Sequence, residues 1–134
     1  MSLTEICITV TILLTSMAIA IPSLLQARET WELQSAARMV ESRMQSARIH
    51  AVTRNRDCRV NVTSPSTYQV ECQGSSWETV ETISLPHGLT ASASARPEFH
   101  ERGNVAPTAT ITVWNSKGRS LRVVVNVNGR VRIQ

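Results

Sequence analysis

The sequence predicts an α+β protein: one long N-terminal helix, with a transmembrane half and an amphipathic half, packed on an antiparallel β-sheet head. Three observations carry that prediction. Residues 6–25 form an uncharged apolar run, helical periodicity continues beyond it to about residue 53, and after Asp57 the apolar pattern changes to strict alternation. The composition fits such a chain. Its 134 residues are 42% apolar and 18% charged, with five Gly, five Pro and 4% aromatic residues. These values exclude disordered, collagen-like and low-complexity architectures.

Between Ile6 and Leu25 there are twenty residues without a charge, and fourteen of them are apolar. A helix of that length rises about 30 Å, the thickness of a bilayer core. The only early charge is Glu5, and no Lys or Arg precedes the run. A membrane anchor is therefore expected rather than a cleaved signal peptide, which starts basic. Pro22 would normally end or kink a helix, because its ring displaces the carbonyl four residues back. Beyond it, however, Leu33, Ala37, Val40, Met44, Ala47 and Ala51 recur at helical spacing, and residues 23–54 contain no Gly or Pro. One helix is expected from about residue 2 to 53, kinked near Pro22. It organises the chain into a hydrophobic transmembrane and assembly helix (1–25), the amphipathic half of the same helix (26–54) and a β-rich globular head (55–134). At about 1.5 Å per residue the helix would extend roughly 75–80 Å. That exceeds a compact domain of this mass, so the N-terminal half must enter lipid or pack with other copies.

In the head, Cys58, Val60 and Val62 alternate with polar residues, as do Tyr68, Val70 and Cys72 across Ser64-Pro65-Ser66. A hairpin centred on Pro65 pairs Val62 with Tyr68, Val60 with Val70 and Cys58 with Cys72. Opposed Cβ atoms lie about 4.5–5.5 Å apart, close to bridging distance. A Cys58–Cys72 disulfide is expected, which needs an oxidising compartment; the alternative is two reduced cysteines. Residues 77–84 and 89–95 are weaker strand candidates, and Pro97 to Pro107 reads as a loop with Phe99 tucked inward. Strands follow at about 109–115, 120–126 and 130–134. A two-residue turn at Asn128-Gly129 would oppose Val125 to Arg132 and mix apolar with charged faces. Three-residue loops ending in left-handed Gly118 and Gly129 avoid this. They pair Ile111 with Val123, Val113 with Leu121, Val125 with Val131 and Val123 with Ile133. The inner face of this meander should pack on the amphipathic helix half, leaving Trp114, Arg122, Arg130 and Arg132 on the outer face.

Charge is unevenly distributed. Residues 104–134 contain Lys117, Arg119, Arg122, Arg130 and Arg132 and no acid, whereas residues 1–103 carry nine basic and ten acidic groups. The excess positive charge thus sits in the last quarter of the chain, which points to an anionic partner. No catalytic constellation is present: there is no Gly-rich phosphate loop, no G-x-S-x-G and no isolated carboxylate pair, so the chain is not read as an enzyme. His50, His87 and His100 lie far apart without metal-ligand spacing, and neither a metal nor another cofactor is expected. Cys7 reads as a small hydrophobe in the anchor. Asn61-Val62-Thr63 matches a glycosylation sequon and is treated as chance.

Met1-Ser2-Leu3-Thr4-Glu5, the apolar run and Ala18-Ile19-Ala20-Ile21-Pro22 resemble the mature N-terminus of type IV pilins and type II secretion pseudopilins, whose hallmark is a glutamate at position five and a proline at position 22. Most members begin with Phe, whereas Met1 stands here. The resemblance implies a precursor cut by prepilin peptidase, N-methylation of Met1, a single pass through the bacterial inner membrane before assembly with the head in the periplasm, and a cell-surface pilus afterwards. It also implies other pilin subunits as partners of the N-terminal helix. Independently of the family, a carboxylate at bilayer depth is costly unless paired, and the cation available to Glu5 is an N-terminal amine, its own or a neighbour's. Thr9, Thr11, Thr15 and Ser16 can bond carbonyls one turn back or touch neighbouring helices.

Gly129-Arg130-Val131-Arg132 resembles the Gly-Arg-x-Arg motif of the GspH/FimT group, associated in FimT-like minor pilins with DNA binding during natural transformation. Arg130 and Arg132 are two apart on one strand and point the same way, about 6.5–7 Å apart. Arg122 lies beside them, Lys117 and Arg119 could extend the patch, and Trp114 could stack on a base or simply cover the sheet. Phosphate contacts of this kind are salt-sensitive and carry little sequence information. The expectation is a DNA-binding minor pilin. The alternatives are a GspH-type pseudopilin of a type II secretion system and a structural pilin subunit without DNA binding, with the arginines keeping an edge strand soluble.

Overall fold

The computed structural model describes residues 2–134. The methylation expected at Met1 lies outside them. The chain divides into two units, 1–32 and 33–134, and helix α1 (Leu3–Arg54) contributes residues to both.

In the first unit α1 stays helical through Pro22. Its apolar side chains are exposed all round, from Leu3 through Leu14 and Ile19 to Leu25, so they need lipid or other helices to cover them. Among the described residues α1 is the one helix long and apolar enough to cross a membrane. The hydroxyls in this stretch suit that environment. Thr9 donates to the Glu5 and Ile6 carbonyls (3.0 and 2.9 Å), Thr11 to Cys7 (2.7 Å), Thr15 to Thr11 and Ile12 (3.0 and 2.9 Å) and Ser16 to Ile12 (2.8 Å). Each polar side chain thus satisfies itself within its own helix, removing most of the cost of placing it in hydrocarbon.

The second unit holds residues 33–54 of α1 and eight strands: β1 (Cys58–Ser64), β2 (Thr67–Gln73), β3 (Trp77–Ser84), β4 (Leu89–Ala93), β5 (Glu98–Phe99), β6 (Thr110–Asn115), β7 (Ser120–Val125) and β8 (Val131–Ile133). They form two four-stranded antiparallel sheets, ordered β3-β2-β1-β5 and β4-β6-β7-β8. The helix buries Leu33, Ala36, Ala37, Val40, Met44, Ala47 and Ala51, a stripe at three- and four-residue spacing. Four of the seven are alanines, which let the helix approach the strands closely. This stripe shares one hydrophobic cluster with the inward residues of both sheets, among them Val60, Phe99, Ile111 and Val123. Arg43 Nη1 adds an ion pair to Glu81 Oε1 at 2.7 Å, tying the helix to β3.

The β1–β2 hairpin pairs Cys58 with Cys72, Val60 with Val70 and Val62 with Tyr68. The two cysteines are bonded, with Cα atoms 4.0 Å apart. Two segments differ from the sequence reading. The stretch from Pro97 to Pro107 is not entirely loop: Glu98 and Phe99 pair with Arg59 and Cys58, and Phe99 is fully buried. Two residues between prolines and turns carry no readable periodicity, so only the tertiary pairing reveals them. Strand β4 ends at Ala93 rather than near residue 95, because Ser94 turns its amide to the Thr110 carbonyl and its hydroxyl to the Thr110 amide.

Tyr68 is buried, yet its hydroxyl has no hydrogen-bond partner among the described residues. Burial pushes the phenol up to about 12, with the Arg43 cation pulling it down and Glu81 pushing it further up. It is therefore a neutral donor at physiological pH with nothing to donate to. Tyr68→Phe is expected to leave thermal stability unchanged or raise it by up to about 1 kcal/mol, since it deletes an unsatisfied buried group while keeping the ring. A melt that falls by more than about 1 kcal/mol would show that the hydroxyl is bonded in solution.

Candidate nucleic-acid interface

The basic residues are positioned by the β6–β7–β8 meander, and its two turns set the register. In the first turn Asn115 Oδ1 accepts from the backbone amides of Lys117 (3.1 Å) and Arg119 (2.9 Å). The Gly118 amide bonds the Asn115 carbonyl, and Gly118 takes φ +78°. In the second turn the Gly129 amide bonds the Asn126 carbonyl at 2.8 Å, the Asn126 amide bonds the Arg130 carbonyl at 3.0 Å, and Gly129 takes φ +72°. Both are three-residue loops closed by a left-handed glycine, a geometry that keeps apolar residues opposite apolar ones. The resulting pairs are Ile111–Val123, Val113–Leu121, Val125–Val131 and Val123–Ile133.

With Val123, Val125 and Val131 buried, pleating sends Arg122, Arg130 and Arg132 to the other face, where all three are exposed. Arg132 stands opposite Val124, while Arg122 and Gln134 exchange both backbone hydrogen bonds (2.9 and 2.8 Å). Arg122 is thus the diagonal neighbour of Arg132, at about 7–8 Å between Cα atoms. Among the described residues none of these three arginines makes an ion pair. An open groove is lined by Val124, Asn126, Val127, Arg130, Arg132 and Gln134. Trp114, half-buried on β6, stands opposite Ser120 and therefore diagonal to Arg122 on the same face.

Lys117 and Arg119 occupy the far turn. Asn126, the partner of Arg130, lies seven positions beyond Arg119, or about 24 Å along the strand. Arg122 lies between, three positions from Arg119 and four short of Asn126, so the five cations run along the hairpin rather than forming one compact patch.

The sequence reading missed Arg48. Its Nε donates to the Gly103 carbonyl at 3.1 Å, and the same carbonyl lies where a Cβ on residue 129 would have to sit. Arg48 and the 100–104 loop thus form the seat of the turn that presents Arg130. Nothing in the helical spacing of Arg48 distinguishes it from a solvated residue.

At the other end of the chain, Ser2-Leu3-Thr4-Glu5 starts α1. Glu5 Oε2 accepts the Ser2 amide at 3.0 Å, and the Ser2 carbonyl accepts the Glu5 and Ile6 amides. The side chain reaches back over the first turn, where a carboxylate also favours the positive end of the helix.

An exposed apolar N-terminal helix running into a head of two antiparallel sheets defines a minor pilin or pseudopilin, a subunit of type IV pili or type II secretion. Residues 36–129 match the family described as type II transport protein GspH, and the chain belongs to that family. No curated protein matches it. Among solved structures it is similar to the type IV minor pilin FimU of Pseudomonas aeruginosa, at TM-score 0.67 and 20% identity over 79% of this chain and 90% of that one. The minor pseudopilin EpsH of Vibrio cholerae gives TM-score 0.68 and 15% identity over 77% and 96%. The solution structure of Escherichia coli GspH gives 0.66 and 10% over 77% and 87%. Membership makes the chain a membrane-anchored structural subunit that assembles with other pilins.

Proposed function

We propose that this chain is a minor type IV pilin that binds extracellular DNA through Arg122, Arg130 and Arg132, with Lys117 and Arg119 making outlying contacts, for uptake in natural transformation. The observation that carries the reading is the trio of exposed arginines without acidic partners on one face of the β7–β8 hairpin. Spaced about 7 Å apart, they suit phosphates along a nucleic-acid strand, which supply affinity without sequence discrimination. In this reading prepilin peptidase processes the precursor and Met1 is methylated. The helix resides in the inner membrane with the head in the periplasm, and Glu5 then pairs with the N-terminal amine of a neighbouring subunit during assembly. At that step Glu5 would exchange its bond to the Ser2 amide for a charge-assisted one.

The test is DNA binding by the full-length chain in non-ionic detergent, followed by fluorescence anisotropy on a duplex between 50 and 200 mM salt. Each phosphate contact contributes about 0.9 to the slope of log affinity against log salt. Arg130→Gln with Arg132→Gln should therefore reduce the slope by roughly two and weaken binding at low salt by tenfold or more. Equal binding by both proteins overturns the proposal. A second reading, a pseudopilin of a type II secretion system with no nucleic-acid role, is favoured by the family match and the likeness to EpsH. Equal binding would favour it.

A further inference from the structure

Asp57, Glu98 and His100 come together on the outer face of the first sheet. Each offers one ligand atom, and these atoms all lie within 4.8 Å of one another. The pairing of Cys58 with Phe99 and Arg59 with Glu98 produces this convergence. Cys58 and Phe99 point inward, so Asp57, Glu98 and His100 point outward. His100 Nδ1 is 3.2 Å from Asp57 Oδ1.

The backbone beneath the three groups is fixed before any ligand arrives. The Asp57 carbonyl accepts the Gln73 amide at 2.7 Å, the Glu98 carbonyl accepts the Ala106 amide at 3.1 Å, and His100 bonds Asn104 and Gly103 at 2.9 and 2.8 Å. The disulfide anchors the adjacent Cys58. The charges, by contrast, are unbalanced. Two carboxylates face one imidazole, and the Glu98 carboxylate makes no hydrogen bond or ion pair among the described residues. Its cross-strand neighbour Arg59 is committed elsewhere, with Nε 2.6 Å from Glu71 Oε2 and the guanidinium stacked 4.0 Å over Trp77.

We infer that Asp57, Glu98 and His100 form a binding site for one first-row transition-metal dication of the Zn²⁺ type. Two carboxylate oxygens and one imidazole nitrogen are a borderline donor set, suited to such an ion; Ca²⁺ and Mg²⁺ want six or more oxygens. Tetrahedral Zn²⁺ with bonds of about 2.0–2.2 Å places ligand atoms about 3.4 Å apart. The Asp57–His100 pair already stands at that separation, and the longer Glu98 side chain closes the remainder by rotation. Water fills the fourth position. The bound ion cancels the repulsion between the carboxylates and staples β5 to the segment between α1 and β1.

The proposal is independent of the nucleic-acid reading and is tested without DNA. Full-length protein carrying Cys7→Ser, which removes the free thiol, is stripped with EDTA in detergent. It is then dialysed against ZnCl₂ or, in parallel, CaCl₂ and MgCl₂. One Zn²⁺ per chain and a rise in melting temperature that grows with Zn²⁺ concentration are expected. His100→Gln and Glu98→Gln should each weaken Zn²⁺ binding at least tenfold while keeping the disulfide and the far-UV spectrum. Asp57→Asn, isosteric like Glu98→Gln, is the arm to use if either of the others fails to fold. Absence of bound Zn²⁺ in the parent, or undiminished occupancy in the variants, overturns the site. Stoichiometric Ca²⁺ or Mg²⁺ in place of Zn²⁺ overturns the metal class.

Discussion

Replacing Cys58 and Cys72 together by serine is expected to destabilise the head by about 3 kcal/mol. The bridge closes a short loop, with a sequence separation of 14 residues, and a loop of that length restricts the unfolded chain by about 3 kcal/mol in the chain-entropy model. The sulfurs are also part of the core: Cys58 is fully buried and Cys72 nearly so. Serine hydroxyls there would lack the bond and bring unsatisfied polar atoms into the apolar cluster. For a head of about 100 residues this is on the order of a 10–20 °C fall in melting temperature. The measurement is a thermal melt of the full-length chain in detergent, followed by circular dichroism, with intact mass confirming the bridge in the parent. A fall of only a few degrees would mean that the hairpin holds its register without the bond.

Why the disulfide was legible while other parts of the head were not is a matter of range. Cys58 and Cys72 face each other across a local hairpin, and alternation plus one proline turn specify that register. The same holds for the 109–134 meander, where the apolar residues 111, 113, 121, 123, 125, 131 and 133 keep a period of two within each strand, so only one loop length keeps Val125 opposite Val131. Non-local pairings left no such trace. Strand β4 pairs with β6, not with its sequence neighbour β3, and β3 carries an irregularity opposite Val70 and Glu71 that leaves Val80 exposed. Its alternation is therefore broken at the place where periodicity would be sought. The two-residue β5 is shorter than any pattern.

The candidate sites divide along the same line. Arg130 and Arg132 sit two apart on one strand, so their shared face follows from pleating alone. The roles of Arg48, 55 residues from Gly103, and of Asp57 beside His100 arise only when the helix end, β1 and β5 meet. Sequence spacing cannot anticipate a ligand set assembled by tertiary contact.

Gly129→Ala should be the single substitution that harms fold and interface together, and Gly118→Ala is its control. Both glycines are left-handed, at φ +72° and +78°, so an alanine at either costs about 1–2 kcal/mol in backbone strain. Their surroundings differ. A Cβ at 118 meets nothing within 4 Å, whereas one at 129 runs into the Gly103 carbonyl oxygen and comes within 2.8 Å of Arg48 Nε. Backbone cannot yield as a flexible side-chain end can, so the turn must lift from its seat and Arg48 must lose its bond to Gly103. Gly129→Ala is therefore expected to cost at least about 2 kcal/mol more than Gly118→Ala, read as the difference between two melts. The DNA assay supplies the second measurement. Gly129→Ala keeps every arginine yet displaces the start of β8, so its affinity should fall toward that of the Arg130→Gln and Arg132→Gln protein while Gly118→Ala binds like the parent. Equal melts for the two glycine variants would show that the close approach to Gly103 contributes nothing. Parent-like DNA binding by a destabilised Gly129→Ala would show that the arginines act without the turn that aligns them.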